Sequence, residues 1–399
     1  MPAESIKRRV VDPVADFLRA ETGGGLALLA GAAVALVWVN TAGTSGYESL
    51  WTTEIRIGLG DAAISQDLRH WVNDGLMTFF FFVISLEIKK ELVVGDLRHP
   101  KAAALPIIAA LGGVVIPIAI FLAIAGGGAN NDGWGIPMAT DAAFALGVLA
   151  VLGSRVGIGV KLFLVTIAVA DDVLAILVIA VAYAGDVSGA WLAAAFGAVV
   201  FVLALRRLGV SSILAYIPIG IALWIATYES GVHATLAGVV LGLLTPAKPV
   251  DGREVLEDLE DRVHPISSFL VLPLFALANA GVELGGPALS DPDGRRVALA
   301  VAMGLTVGKF AGIAGATLLA LRLRVGALPK GVDLRGVLGA AALGGIGFTV
   351  SLFIAPLAYM DLTLVEGAKV GILAGSVISA AVGIAILAPG GRHPTRRGR

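Results

Sequence analysis

The chain has 399 residues, of which 57% are hydrophobic and only 15% are charged, and its formal net charge is −1. Soluble globular domains carry about 25% charged residues, so this composition excludes an ordinary soluble domain and predicts an all-α, polytopic membrane protein. Cysteine is absent, which excludes disulfides, zinc–thiolate sites and cysteine nucleophiles. The sequence has no basic stripe with interleaved aromatic residues, so we expect no nucleic-acid partner.

The apolar segments predict about twelve transmembrane helices, because each is close to the roughly 20 residues that cross a bilayer. A short amphipathic segment at 13–20 precedes the first of them. After the first span, polar and apolar residues alternate over 51–57, a pattern that predicts a small β-hairpin. We place the spans near residues 24–41, 71–94, 102–125, 135–153, 160–184, 190–208, 212–228, 231–247, 265–284, 297–320, 335–358 and 365–388.

The lysines and arginines predict how the chain is oriented. With both termini in the cytoplasm, 23 of the 29 basic residues lie on the inner side, and Lys309 falls inside an apolar run. The five on the outer side are Arg56, Arg69, Arg295, Arg296 and Lys369. Inner loops of membrane proteins carry an excess of Lys and Arg, so we expect a multi-pass protein of the cytoplasmic (inner) membrane with an uncleaved first span. The acidic inner loop 248–262 predicts a surface helix.

Two adjacent aspartates, Asp171 and Asp172, lie near the middle of the predicted span 160–184. A charge at the bilayer centre costs roughly 2.5–3.5 kcal/mol on insertion scales, so two side by side indicate a functional role. Neighbours on a helix point about 100° apart, so the two carboxyls face different environments. We predict that one pairs with Lys309 and that the other faces a water-filled cavity. The alternative is an ion pair that only fixes helix packing, which would need a single aspartate.

A weak internal symmetry relates two trios of spans, and the middle span of each trio is interrupted. The interruptions lie at 135–141, which contains Asp141, and at 344–347, which is rich in glycine. Matched interrupted helices in two inverted halves predict the binding site of a secondary transporter. The alternative is that glycine and proline only loosen the packing. The inverted repeats are about 102–184 and 297–388, the remaining helices about 24–94 and 190–284, and the single domain 1–399.

Seven short motifs occur in order along the chain. They are 82–92 (FVISLEIKKEL), 139–149 (ATDAAFALGVL), 170–172 (ADD), 231–238 (GVHATLAG), 272–281 (LPLFALANAG), 308–309 (GK) and 345–349 (GIGFT). Together these motifs resemble those of the NhaA-type sodium/proton antiporters, and the resemblance extends from about residue 13 to residue 388.

The resemblance implies a core in which two broken helices cross near the middle of the membrane. It implies that Asp172 and Asp171 bind the ion and carry protons, with Na⁺ held at this pair, and that Asp171 also pairs with Lys309. A helix end carries about half a unit charge, so Asp141 suits the positive N-terminal ends and Lys309 the negative C-terminal ends. Thr140 would supply an oxygen, the ligand that a hard cation such as Na⁺ prefers.

The same resemblance implies a secondary active transporter, not an enzyme. Such a protein exchanges cytoplasmic Na⁺ or Li⁺ for external H⁺ electrogenically and serves pH and sodium homeostasis. We expect no cofactor beyond the transported ions. The expected partners are membrane lipid and a second copy of the chain, in a homodimer that forms through the hairpin near 51–57.

The family also implies a pH-sensing mouth at the cytoplasmic end of the second span. The candidates are Glu87, Lys90, Glu91, Glu260 and His264. The alternative is a solvated face whose surface ion pairs contribute about 0–1 kcal/mol. We interpret His233 as a packing residue rather than a pH sensor, and Asp74 as a helix cap rather than a residue of the mouth.

Three functions other than sodium/proton exchange would require different features. An intramembrane aspartyl protease would use Asp141 with Asp171 or Asp172 as a dyad, but Lys309 would prevent the two carboxyls from sharing a proton. The protease-like run 58–61 is placed in an outer loop. A sodium-coupled organic-anion symporter would need an open substrate cavity, and flux driven by substrate rather than pH would identify it. A passive channel would not have a lysine in its pathway, and its flux would not saturate.

Overall fold

The computed structural model describes residues 12–59, 62–210, 212–247, 254–329 and 331–390, and apart from one two-stranded sheet its regular elements are helical. In chain order, the α-helices of these residues are α1 (Asp12–Ala42), α2 (Thr44–Trp51), α3 (Leu68–His70), α4 (Met77–Val93), α5 (Pro100–Ala125), α6 (Ala142–Leu152), α7 (Ile158–Ala182), α8 (Gly189–Arg207), α9 (Ile213–Glu229), α10 (Thr235–Leu244), α11 (Val255–Ile266), α12 (Leu272–Asn279), α13 (Pro287–Ser290), α14 (Pro292–Met303), α15 (Lys309–Arg322), α16 (Leu334–Leu343), α17 (Phe348–Ala358) and α18 (Leu362–Leu387). Short 3₁₀ segments lie at Asp96–Arg98, Gly128–Met138, Gly153–Arg155 and Ala388–Gly390.

Three pairs of α-helices are joined by π-helical turns into longer helices. The turns are Trp71–Leu76 between α3 and α4, Ser267–Val271 between α11 and α12, and Gly304–Gly308 between α14 and α15. Each π turn widens the helix locally and redirects the side chains that follow it, and such turns are frequent at functional sites. The third turn ends at the residue before Lys309.

Six helices among the described residues are long and apolar enough to cross a membrane, and two bent helix pairs raise this number to eight. The six are Gly23–Ala42, Ala102–Ala125, Ile158–Ala182, Gly189–Arg207, Pro292–Arg322 and Leu362–Leu387. The predicted all-α, polytopic membrane fold is therefore confirmed. The shorter helices α9 and α10, together with α3–α4 and α11–α12, occupy the other predicted positions, and a total of twelve spans stays a prediction. The segment 13–20 is continuous with the first span, because α1 runs unbroken from Asp12.

A β-hairpin follows α2, as the alternating sequence predicts. Strand β1 (Glu54–Leu59) pairs antiparallel with β2 (Ala62–Asp67), and Ile57 lies opposite Ile64. The strand begins three residues later than predicted, because Trp51 ends α2 and packs its ring edge-on against Tyr47. The first two residues of the run 58–61 belong to β1, and the other two lie outside the described residues.

The two trios share the order long helix, broken helix, long helix. In the first trio the broken span consists of the 3₁₀ segment Gly128–Met138 and α6, which meet at a bend of 48°. In the second it consists of α16 and α17, with a bend of 41°. The first half of the earlier span is 3₁₀ rather than α-helical, because it is rich in glycine and asparagine and contains Pro137, which lacks a backbone N–H, next to its last residue, Met138. The inverted relation between the trios stays a prediction.

Close backbone contacts between small residues join the two trios. Gly112 of α5 and Gly312 of α15 face one another so closely that a side chain on either would clash with the carbonyl oxygen of the other. A Cβ atom on Gly308 would lie 2.7 Å from the Cα of Pro117. Small residues allow membrane helices to pack by direct backbone approach. This packing fixes the start of α15, and with it Lys309, against the first trio.

Candidate functional site

The two broken helices cross at their interruptions. The backbone N–H of Asp141 donates to the carbonyl of Ile346 over 2.6 Å, and the Ser351 hydroxyl donates to the carbonyl of Ile136 over 2.7 Å. Backbone groups that each break removes from helical hydrogen bonding are thus satisfied by the other broken helix. Non-helical backbone inside a membrane is tolerated only where protein satisfies it in this way.

Asp141 lies between the N-terminal ends of both α-helical halves. Its Oδ1 accepts from the N–H of Phe144 in α6 over 2.9 Å, and its Oδ2 accepts from the N–H of Thr349 in α17 over 3.0 Å. Free N–H groups make a helix N-terminus electropositive, so a carboxylate is stabilised there. One buried aspartate therefore caps two helices from different halves of the chain.

Thr140 connects the crossing to the aspartate pair. Its hydroxyl lies 2.7 Å from the carbonyl oxygen of Gly344, at the C-terminal end of α16, and 2.5 Å from Oδ2 of Asp171. A threonine hydroxyl carries one proton and two lone pairs, so it can donate to one of these oxygens at a time. The arrangement places a neutral oxygen between a negative helix end and a carboxyl group.

Asp171 and Lys309 form an ion pair inside the protein. The Lys309 ammonium contacts Oδ2 of Asp171, and both side chains are 0% exposed. Asp171 comes from α7 of the first trio and Lys309 from the start of α15 in the second. The other oxygen of Asp171, Oδ1, is buried without a hydrogen-bond partner among the described residues.

Asp172 faces a different environment from its neighbour. Its side chain lines a cavity of about 50 Å³ whose inner end also touches Thr140, Asp141 and Thr349. No hydrogen bond to the Asp172 carboxyl is formed within the part of the chain that the structure describes. A water molecule needs about 10–15 Å³ of such space, so the cavity can hold a few waters or a partly hydrated monovalent cation.

The oxygens around this cavity suit a hard monovalent cation. The Asp172 carboxyl and the Thr140 hydroxyl line the cavity. The Asp171 carboxyl lies behind Thr140, which contacts its Oδ2, and its Oδ1 has no hydrogen-bond partner among the described residues. Hard cations prefer oxygen ligands and tolerate mixed carboxylate and hydroxyl sets. The donor set is therefore of the kind that a small, hard monovalent cation prefers.

The other end of the cavity is a charged mouth. The cavity reaches Glu87 and His264, whose Oε1 and Nε2 atoms are 3.8 Å apart. Beside them, the Lys90 ammonium lies 2.9 Å from both oxygens of Glu260. Glu91 lies further out, where its Oε1 accepts from the Leu97 N–H over 3.4 Å. The structure thus brings four of the five mouth candidates together and places the fifth at the edge of the group.

Helix α11 carries two of these mouth residues. The acidic loop 248–262 predicts a surface helix, and α11 begins at Val255 within it, while residues 248–253 lie outside the described part of the chain. The pKa of the Glu257 carboxyl on this helix is raised, first by a hydrogen bond with Glu254, then by partial burial and by the Glu254 charge. The Lys90 ammonium opposes this and lowers the Glu257 pKa.

Two minor predictions have different outcomes. Asp74 is not a helix cap: it lies inside the π turn Trp71–Leu76, and the cap of α3 is Asp67, which accepts from the His70 N–H over 2.7 Å. The prediction that Asp74 caps a helix is wrong, because the helix already begins at Leu68, six residues before Asp74. The His233 ring packs edge-on against Phe353, in line with a packing role.

The sequence is similar to those of known proteins over nearly its whole length. A profile described as Na+/H+ antiporter 1 matches residues 15–387. The "Na(+)/H(+) antiporter NhaA 2" of Erythrobacter litoralis is 44% identical over 96% of this chain and 95% of its own length. The chain belongs to this Na⁺/H⁺ antiporter family. The "NhaA 1" antiporter of Klebsiella pneumoniae (44% identical, 93% of this chain, 95% of its own) and the "NhaA 2" antiporter of Sorangium cellulosum (40%, 97% and 92%) are similar over comparable lengths.

Membership in the Na⁺/H⁺ antiporter family confirms the resemblance predicted from the seven motifs and makes the protein a multi-pass membrane transporter. The sequence did not reveal two partners at the crossing, the Thr349 N–H that caps Asp141 and the Gly344 carbonyl that meets Thr140. Both are backbone groups, and the residue types do not indicate where a backbone group will lie. The signal in the sequence is the glycine-rich break 344–347, which precedes α17.

Proposed function

We propose that this protein exchanges cytoplasmic Na⁺ or Li⁺ for external H⁺, as an electrogenic secondary active transporter. The observation that carries the proposal is the Asp172 carboxyl, which lines a cavity between the charged mouth and the crossed helices without a hydrogen bond to the described residues. Family membership supports Na⁺ and H⁺ as the exchanged ions. Li⁺ follows from the same oxygen donors, because it is also a small, hard cation.

Competition at Asp172 couples the two fluxes. A carboxyl group can be neutralised by a proton or by a bound Na⁺, and both use the same oxygens. A neutral site passes through the membrane interior at a lower electrostatic cost than an empty, charged one. The site therefore changes its side of exposure when it carries either ion. Sodium loaded from one side and protons from the other then exchange, which is alternating access at a fixed site.

The Asp171–Lys309 pair makes the exchange electrogenic. When Na⁺ binds, Asp171 Oδ1, which has no hydrogen-bond partner among the described residues, turns toward the ion and the carboxyl releases Lys309. A buried ammonium without a counter-ion is strongly disfavoured, so Lys309 gives up a proton. A second proton thus leaves for each Na⁺ that binds, and net charge moves in each cycle.

The mouth regulates this cycle with pH. Glu87, Lys90, Glu91, Glu260 and His264 are the residues that we assign to this role. Histidine changes charge within the physiological range, and the ion pairs of the mouth lie where α11 meets α4. A change in their charges alters the contact between these helices and thereby access to the cavity. The physiological role that follows is pH and sodium homeostasis.

We place the protein in the cytoplasmic (inner) membrane with twelve spans, cytoplasmic termini and inverted trios. The hairpin formed by β1 and β2 joins two copies in a homodimer, because a two-stranded sheet leaves unpaired edges that a second hairpin can extend. Deleting residues 54–67 should then yield a folded monomer in size-exclusion chromatography. Retention of the dimer would remove the hairpin from the interface. Single cysteines at the C-terminus should react only from the cytoplasmic side.

Transport by purified protein in proteoliposomes tests the proposal directly. Addition of Na⁺ or Li⁺ should collapse an imposed pH gradient, K⁺ should have little effect, and the rate should saturate with Na⁺. A membrane potential should change the rate, because net charge moves. Folded protein that leaves the gradient intact with Na⁺ present, from neutral to alkaline pH, would refute the assignment.

A further inference from the structure

Two serines on the wall of the cavity have no role in the site described above. Ser267 and Ser268 begin the π turn between α11 and α12, and their side chains line the same cavity as Asp172. They follow His264 by three and four residues, so they lie on the same helix face, one turn deeper than the mouth.

Both serines line the cavity, and neither hydroxyl has a hydrogen-bond partner among the described residues. The two residues are only 2% and 4% exposed. By contrast, the hydroxyls of Thr306 and Thr317 each donate over 2.7 Å to the carbonyl four residues earlier. Other serines in the spans, Ser85, Ser376 and Ser379, have buried hydroxyls without a partner among the described residues, but they do not line this cavity. A hydroxyl that lines a cavity without a hydrogen bond to the protein keeps its lone pairs free for a water molecule or a cation in that cavity.

The surroundings define the chemistry of that ligand. Between the mouth and Asp172 the cavity wall is otherwise largely apolar, with Phe80, Ile84 and Leu272 among its members. A monovalent cation that leaves the mouth must lose part of its hydration there. Hydroxyl oxygens can replace lost water ligands, and because they are neutral they hold the cation weakly enough to pass it on.

We propose that Ser267 and Ser268 form a transient subsite for the partly dehydrated cation, between the mouth and Asp172. The proposal rests on the proposed function, because the cation must travel this cavity. The two serines affect how fast the cation reaches the site, and Asp172 binds the cation at the end of this path.

The double variant Ser267→Ala/Ser268→Ala tests the subsite. Loss of a hydroxyl ligand should lower kcat/KM for Na⁺ by about threefold or more, mainly through KM. Equilibrium Na⁺ affinity, measured by calorimetry, should stay close to that of the parent, because the Asp172 site is intact. The variant Ser267→Thr/Ser268→Thr keeps both hydroxyls and should restore most of kcat/KM. Ser376→Ala is the matched control, since Ser376 is also buried without a partner but does not line the cavity.

The outcomes separate the subsite from the function on which it rests. A parent protein without Na⁺/H⁺ exchange would contradict the proposed function itself. An active parent whose double alanine variant keeps its kcat/KM would overturn the subsite. Equal loss of kcat/KM and of calorimetric affinity in the alanine and threonine variants would also overturn it, because the damage would then lie in packing. The single alanine variants are measured alongside, and each should show part of the effect if the double variant folds poorly.

Discussion

The Lys309 ammonium contacts Oδ2 of Asp171, and this fully buried ion pair joins helix α7 of the first trio to helix α15 of the second. Its position depends on two features of α15: the π turn Gly304–Gly308, which sets the direction of Lys309, and the glycines that bring α15 against α5. Burying two charges is costly, and this cost is offset only while each charge has the other as its partner.

Removing one partner should therefore destabilise the protein. Asp171→Asn leaves the Lys309 ammonium buried without a counter-charge, a defect that typically costs about 3–5 kcal/mol. Asp172→Asn is the matched control, because Asp172 has no ion-pair partner among the described residues. We expect the Tm of Asp171→Asn in detergent to be clearly lower than that of Asp172→Asn. The double variant Asp171→Asn/Lys309→Gln should recover part of the loss. Equal Tm values for the two single variants, without rescue, would argue against a stabilising pair.

Asp141 should contribute to stability through both half-helices. Asp141→Ala removes the acceptors of the Phe144 and Thr349 N–H groups, and a lost N-cap costs about 1 kcal/mol each. Asp141→Asn keeps one side-chain oxygen and should have an intermediate Tm. Asp333→Ala is the control: Asp333 caps only α16, at the N-H of Gly336 over 2.8 Å, so it should cost about one cap and leave transport unchanged. A Tm for Asp141→Ala no lower than that of Asp333→Ala would contradict the double cap.

The charge of Lys90 should affect how the mouth responds to pH. The Lys90 ammonium lowers the pKa of Glu257, so Lys90→Ala should raise that pKa, and the Glu257 carboxyl on α11 should lose its proton at higher pH. If these charges control access to the cavity, the midpoint of the pH–activity profile moves to more alkaline pH at saturating Na⁺. Lys90→Arg keeps the charge and should retain the parental midpoint. An unchanged or more acidic midpoint in Lys90→Ala would remove Lys90 from pH control.

The charged core could be predicted from sequence because its residues conflict with their surroundings. Asp171, Asp172 and Lys309 stand in apolar runs where a charge is costly, and glycine and proline mark the two breaks. The π turns could not be predicted in this way, since they depend on how one helix packs against another. The position of the Ser267 and Ser268 hydroxyls on the cavity wall could not be predicted either, because a serine in a span ordinarily bonds its own helix.

Asp172 is the residue on which the proposed mechanism depends. The substitution Asp172→Asn keeps the size and polarity of the side chain but removes its charge and its ability to titrate. We expect this variant to insert and fold, to lose Na⁺/H⁺ exchange at every pH, and to lose Na⁺ binding measured by calorimetry. Asp333→Asn is a control of the same chemistry outside the cavity, and it should exchange at the parental rate.

The parent protein should also show the competition directly. If one proton and one Na⁺ share the Asp172 oxygens, apparent Na⁺ affinity weakens as pH falls, by up to about tenfold per pH unit once the carboxyl is mostly protonated. The dependence should flatten at high pH, where no proton remains to be displaced. Calorimetric titrations across pH measure both limits. Na⁺ exchange that persists and still depends on pH in Asp172→Asn would move the essential titration to Asp171 or Lys309, because these are the remaining ionisable groups of the buried pair.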